Sequence, residues 1–103
     1  RNIPERIIIK EQDIQKKITK YLEKRDAYVV KIVTASKAGV PDILACYKGV
    51  FMGIEVKKPD TKKNTSKLQD YNLRAIIEAE GFSTVAASVE DVEEFLEFID
   101  QIR

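Results

Sequence analysis

The stretch Val50-Phe51-Met52-Gly53-Ile54-Glu55-Val56-Lys57 decides how this chain is read. Side chains along a β-strand point alternately to opposite faces. Val50, Met52, Ile54 and Val56 therefore make one wholly apolar face, and Phe51, Gly53, Glu55 and Lys57 make the other. An acid and a base thus sit side by side on a strand that otherwise reads as internal. Charges in such a place are costly unless they are paired or bound to an ion.

The residues just before this strand sharpen the point. Lys48-Gly49 predicts a two-residue hairpin turn between a strand at Asp42–Tyr47 and the strand at Val50–Lys57. Tyr47 then faces Val50, paired positions sum to 97, and Asp42 lies opposite Glu55. Directly opposed Cβ atoms are only about 5 Å apart. Two carboxylates at that spacing repel each other, unless a cation sits between them or one takes up a proton.

Further elements follow on either side. Residues 11–25 read as an amphipathic helix, with Ile14, Ile18, Tyr21 and Leu22 at apolar spacing. Residues 27–34 (AYVVKIVT) are β-rich, and residues 35–40, with Gly39 ahead of Pro41, read as a loop. The polar segment 58–65, which contains Pro59, reads as another loop. Ser66 is a good N-cap for a helix running to about Glu80, with Gly81 as its terminator. A fourth strand is expected at 82–87, and Ser88 with Asp91 predicts a capping box for a last helix at 89–103. The order is α-β-β-β-α-β-α, an α/β chain with helices over a small mixed sheet. The helix between the third and fourth strands makes those two parallel.

The chain has 103 residues, which predicts one domain over residues 1–103. Hydrophobic residues make up 44% and charged residues 34%, an ordinary globular mix somewhat rich in charge. No apolar run is long enough to span a bilayer. The single cysteine, Cys46, excludes an internal disulfide and points to a reduced, intracellular protein. It lies in an apolar run and is expected to be an inert core residue. There is no histidine, so Ser-His-Asp and Cys-His catalysis and histidine-ligated metals are excluded. Chemistry must rest on carboxylates, lysines, hydroxyls or amides, and oxygen-rich sites prefer hard ions such as Mg²⁺ or Mn²⁺.

Net charge is only +1, but it is unevenly spread. Lys57, Lys58, Lys62, Lys63 and Lys67 fall within eleven residues with only Asp60 against them, and the C-terminal part is acidic. This lysine cluster is either a polyanion-binding patch or a solvated loop. Glu11 stands near the apolar stripe of the first helix, which points it inward, although a first-turn glutamate also suits the helix dipole. Gln15 is one turn further on and either assists it or lies on the surface. Lys57 is placed to reach a phosphate or an attacking water, or to pair simply with Glu55. Gln69 completes a capping box with Ser66, or else turns its amide toward a phosphate or lysine. Pro41 fixes the backbone that aims Asp42, and Gly39 permits a tight loop in which Ser36 and Lys37 are candidate phosphate contacts.

Pro41-Asp42 followed by Glu55-Val56-Lys57, thirteen residues on, resembles the PD-(D/E)xK nuclease superfamily. The wider order is a helix with Glu11, then Lys37-Ala38-Gly39-Val40-Pro41-Asp42-Ile43-Leu44, then Ile54-Glu55-Val56-Lys57-Lys58-Pro59, then Gln69. It is similar to the virus-type replication-repair nuclease (VRR-Nuc) domain in its short stand-alone phage form, over roughly residues 8–90. The resemblance implies a restriction-endonuclease-like core. It implies that Asp42, Glu55 and the Val56 carbonyl bind Mg²⁺ or Mn²⁺, with Glu11 completing the acidic set. Lys57 would orient the attacking water, and Gln69 would support the site. Ser36, Lys37, Lys58, Lys62, Lys63 and Lys67 would contact nucleic acid. Stand-alone members resemble Holliday junction resolvases, homodimers that cut branched DNA with one site per strand. No membrane and no organic cofactor enters this picture, and the expected location is cytoplasmic (the host cytoplasm for a phage protein). The alternatives are a nuclease for flaps or single strands, a non-catalytic nucleic-acid-binding module, and a small structural interaction domain.

Overall fold

The computed structural model describes residues 9–103. Helix α1 spans Glu11–Lys24 and turns Ile14, Ile18 and Leu22 inward, a stripe spaced by four that makes the helix one-sided. Three strands follow: β1 (Tyr28–Lys31), β2 (Ile43–Tyr47) and β3 (Val50–Val56). A short 3-10 turn at Pro59–Thr61 leads to α2 (Lys67–Glu78), then β4 (Phe82–Ala86) and α3 (Val89–Ile102). The strands form one sheet in the order β1-β2-β3-β4. The first three are antiparallel and β4 runs parallel to β3, as the α2 crossover demands.

The hairpin turn sets the register. Lys48 and Gly49 both have positive φ, 53° and 80°, the geometry whose twist suits a two-residue hairpin. Tyr47 pairs with Val50, and the ladder runs to Ile43 against Ile54. On one face of the sheet, Ile43, Ala45, Tyr47, Val50, Met52, Ile54 and Val56 are buried beneath α1 and α3, with Ile18, Leu22, Val92, Leu96 and Ile99 across from them. Complete burial of such a side chain contributes about 1.5–3 kcal/mol. Helix α2 packs on the other face, over β3 and β4. Gly53 allows its close approach: a Cβ there would stand 2.6 Å from Ile76 Cδ1 and 3.0 Å from Pro41 Cγ.

Element limits fall within a residue or two of the sequence reading, except at β1. That strand ends at Lys31 instead of residue 34, with one further bond from Ile32 N to the Asp42 carbonyl at 2.8 Å. Cys46 is exposed and is not a core residue. It shares the face of β2 that carries Asp42 and Leu44, because the core side is taken by Ile43, Ala45 and Tyr47. At α3, Ser88 Oγ accepts from Asp91 N at 3.1 Å as expected, but Asp91 Oδ2 accepts from Ala87 N, one residue before the cap. No helix among the described residues is long and apolar enough to cross a membrane.

The end of α2 differs from expectation in an instructive way. Glu80, not Gly81, carries the left-handed φ of 74°. Glu80 N donates to Ile77 O and Gly81 N to Ile76 O, both at 2.9 Å, the double bond of a Schellman ending. Gly81 is small for another reason: a Cβ there would lie 3.0 Å from Ile76 Cγ2 and 3.1 Å from Phe51 O. An L-residue in the left-handed region costs about 1 kcal/mol. Glu80→Gly should therefore raise stability by roughly 0.5–1 kcal/mol. Urea unfolding of the two proteins checks this; an unchanged or lower midpoint would contradict it.

Candidate active site

The odd-numbered face of β3 ends in Glu55 and Lys57, at the opposite end from the hairpin turn. Glu55 is only 3% exposed, since β3 lies between β2 and β4 and α2 covers this face. Continuing the β2–β3 register one pair beyond Ile43–Ile54 sets Asp42 against Glu55, and one more sets Pro41 against Val56. The second pair matters for the backbone. Pro41 has no N–H to give, so the Val56 carbonyl lacks its ladder donor. The Val56 N–H donates instead to Asp42 Oδ2 at 2.9 Å. That bond ends the ladder and turns the Asp42 side chain along the seam between the two strands.

The Glu55 carboxyl is pushed up to about 8. Burial is the largest cause, followed by the charge of Asp42; a hydrogen bond with Asp42 and the charge of Glu11 add to it, and Lys57 opposes it. Asp42, Glu11 and Lys57 therefore all act on Glu55, which is the grouping read from the sequence. Gln69 joins them. Its Nε2 donates to Glu55 Oε2 at 3.0 Å, while its Oε1 accepts from Ser66 N at 2.9 Å and its own N donates to Ser66 Oγ at 3.1 Å. The capping box and the site contact are thus one arrangement, with the two ends of one amide doing different jobs.

The remaining candidates are more dispersed. Glu11 is half-buried at the start of α1, and Gln15 is buried beside the core stripe. Ser36 and Lys37 stand exposed in the loop before Pro41, and Lys63 and Lys67 are exposed beyond β3. Lys58 is half-buried. Lys62 folds back on α3, where its Nζ lies 2.9 Å from Asp91 Oδ2. Sequence reasoning missed Asn72, a buried amide one turn along α2 from Gln69. The signal was available, since positions 69 and 72 share a helix face.

Among the described residues, no three Cys, Asp or Glu side chains stand close enough to form a ready metal cage. The oxygen donors brought together are the carboxylates of Asp42 and Glu55. Mg²⁺ is commonly held by one or two carboxylates while keeping several waters, so this set fits such an ion. The raised carboxyl at Glu55 points the same way: in the metal-free protein the pair needs a proton where a cation would otherwise serve.

The proton has a thermodynamic consequence. The Glu55 carboxyl is raised from 4.5 to about 8, so between those limits the folded chain binds more protons than the unfolded one. Its contribution to stability is full below 4.5 and is lost as pH rises through about 8. Metal-free protein should thus weaken with rising pH across this window, by at most about 1.4 kcal/mol per unit. Glu55→Gln should flatten the slope. Urea midpoints in chelator from pH 5 to 8.5 read the effect, and parallel slopes in the two proteins would refute it.

Comparison with known proteins bears on the fold and the family. A family model described as archaeal Holliday junction resolvase (Hjc) matches residues 9–88. A solved structure described as a VRR_NUC domain superposes with a TM-score of 0.69 at 25% identity, covering 87% of this chain and 97% of that one. No curated protein matches. The shared architecture is the small mixed sheet flanked by helices, with the α-β-β-β-α-β-α order expected from the sequence. The Hjc match spans most of the chain and takes in every element that carries Asp42, Glu55, Lys57 and Gln69, so the chain belongs to the archaeal Holliday junction resolvase (Hjc) family, of PD-(D/E)xK-type nucleases.

Proposed function

We propose that this chain is a Mg²⁺- or Mn²⁺-dependent endonuclease that hydrolyses phosphodiester bonds in branched DNA. The observation that carries the reading is the buried Glu55 carboxyl set against Asp42, with Lys57 on the same face and Gln69 holding one oxygen. A structural ion pair needs one acid and one base. Here two acids share one base, an arrangement that costs stability in the empty protein and that a cation would relieve.

Asp42, Glu55 and the Val56 carbonyl would hold the ion, with Glu11 adding negative charge from α1. A bound divalent ion supplies charge neutralisation at the phosphate and lowers the pKa of water. Lys57 orients the attacking water and offsets the charge that builds on the phosphoryl oxygens. Water loses a proton as its oxygen bonds to phosphorus, the P–O bond to the departing sugar breaks, and the sugar oxygen takes up a proton, leaving a phosphate end and a hydroxyl end. Gln69 keeps the Glu55 carboxylate in one rotamer by its hydrogen bond, so that its charge stays aimed at the seam. Ser36 and Lys37 on one side, and Lys58, Lys63 and Lys67 on the other, give backbone phosphates cationic and hydroxyl contacts. Lys62 adds to these when DNA draws it away from Asp91.

Resolution of a four-way junction takes two cuts, and each chain offers one site, so we propose a homodimer. Tyr28, Val30 and Phe51 are exposed apolar side chains in β1 and β3, and they offer uncharged surface that a second copy can cover. Sedimentation should give twice the 11.8 kDa chain mass. A monomer at micromolar concentration would count against the dimer.

The decisive assay presents four-way junction, flap, duplex and single-stranded DNA with Mg²⁺ or Mn²⁺. Junction cleavage in opposed strands is expected. Lys57→Ala should lower the rate by about 10²–10³, the scale seen on losing one charge-stabilising donor, while folding and junction binding persist. Wild-type rates in Lys57→Ala would sink the assignment. Binding without any metal-stimulated cutting would make the protein a nucleic-acid-binding module instead.

A further inference from the structure

Asn72 is 6% exposed and takes no part in the site described above. Its Nδ2 donates to Leu68 O at 2.9 Å, one turn back in its own helix, and to Ala38 O at 3.1 Å, across in the loop before Pro41. An amide buried without partners costs about 1–3 kcal/mol, and an apolar residue would suit the helix better. What Asn72 adds is the bond to Ala38. Among the described residues it is the only hydrogen bond that ties residues 33–40 to the rest of the chain.

The loop fits closely against α2 at that point. Gly39 has φ +83°, and a Cβ on it would lie 2.8 Å from Leu68 Cγ, 2.8 Å from Leu68 O and 2.9 Å from Asn72 Nδ2. Three residues later comes Asp42, after the buried Pro41. One turn back on the same face of α2, Gln69 holds Glu55. A single rigid helix therefore grips both approaches to the acid pair: Gln69 holds the carboxylate on β3, and Asn72 holds the backbone that delivers the carboxylate on β2.

We propose that Asn72 is a positioning residue, which holds the Ala38 carbonyl against α2 and so sets the place of Asp42 relative to Glu55 for a shared divalent cation. This rests on the metal-dependent reading given above. It predicts a specific loss: cation affinity and turnover fall together, while DNA affinity, which depends on surface lysines, stays.

The test uses the full chain and Mn²⁺, whose free-ion electron paramagnetic resonance signal reports binding without any cleavage. Asn72→Leu keeps the branched shape and favours the helix, but removes the donor. Its Mn²⁺ half-saturation should rise about tenfold or more, as for other groups that orient a metal ligand. Junction kcat should fall in parallel with KM unchanged. Gly39→Ala, which drives a Cβ into the same seam, should act in the same direction. A lowered unfolding midpoint with an unmoved Mn²⁺ isotherm would mean that Asn72 is only structural, and would overturn the proposal. If Asn72→Leu does not fold, Asn72→Ser, which loses the reach to Ala38 without added bulk, decides by the same isotherm. Wild-type protein that neither binds Mn²⁺ nor cuts DNA overturns the functional reading itself, whereas loaded wild type with an unmoved Asn72 variant overturns only this inference.

Discussion

Asp42 and Glu55 are neighbours because the hairpin turn leaves them no alternative. Lys48 and Gly49 close it in two residues with positive φ at both, and Tyr47 then meets Val50. A slip of one residue would carry Ile43, Ala45 and Tyr47 out of the core and flip Asp42 to the opposite face. Each buried apolar side chain contributes on the order of 2 kcal/mol to holding the register. The far end of the hairpin is clamped as well. Tyr47 Oη donates to Asp100 Oδ1 at 2.7 Å, Lys48 Nζ donates to the same oxygen at 2.8 Å, and Arg25 reaches Asp100 Oδ2 at 3.1 Å. The unfavourable juxtaposition of two acids is thus enforced by favourable packing on the other face and at the other end of the same two strands.

Helix α2 completes the arrangement from the opposite side of the sheet. It can come close only because Gly53 has no side chain, which lets Ile76 and Pro41 settle over β3. That contact brings the first turns of α2 over Glu55. Gln69 can then satisfy its own helix terminus and a site carboxylate with one amide. A glycine in the middle of a central strand weakens the strand. Here the loss is offset by the helix that it admits.

The legible part of this chain was what strict periodicity controls. Alternation along Val50–Lys57 and the Lys48-Gly49 turn give the register and the acid pair, and the crossover helix gives the parallel β4, because each follows from a local rule with few competitors. What escaped was set by tertiary contacts. The apolar neighbours of Cys46 point it to the core, although the alternation that places Asp42 puts Cys46 on the same face. The early end of β1 depends on where β2 stops offering partners, which no property of residues 32–34 reveals. The pairing of Lys62 with Asp91 joins a loop to a helix 29 positions later, and a count of lysines in a window cannot detect it. The sequence places Asn72 on the helix face of Gln69, but its partner across the seam is a backbone carbonyl, which leaves no mark in the sequence.

The proton on Glu55 ties these features together. Burial and Asp42 favour the neutral acid, while Lys57 pulls the other way. Lys57 alone does not balance the two acids, so the site has room for one more positive charge. A proton supplies it in the empty protein, and a divalent cation would compete for the same oxygens. A divalent ion would bring more charge than a proton and leave both carboxylates ionised, so its binding there would be linked to proton release. The same burial that raises the Glu55 carboxyl also weakens solvent screening around it, which strengthens its coupling to Asp42 and Lys57. The strain of the empty site thus has one origin: two acids brought together by backbone register, one of them buried beneath α2.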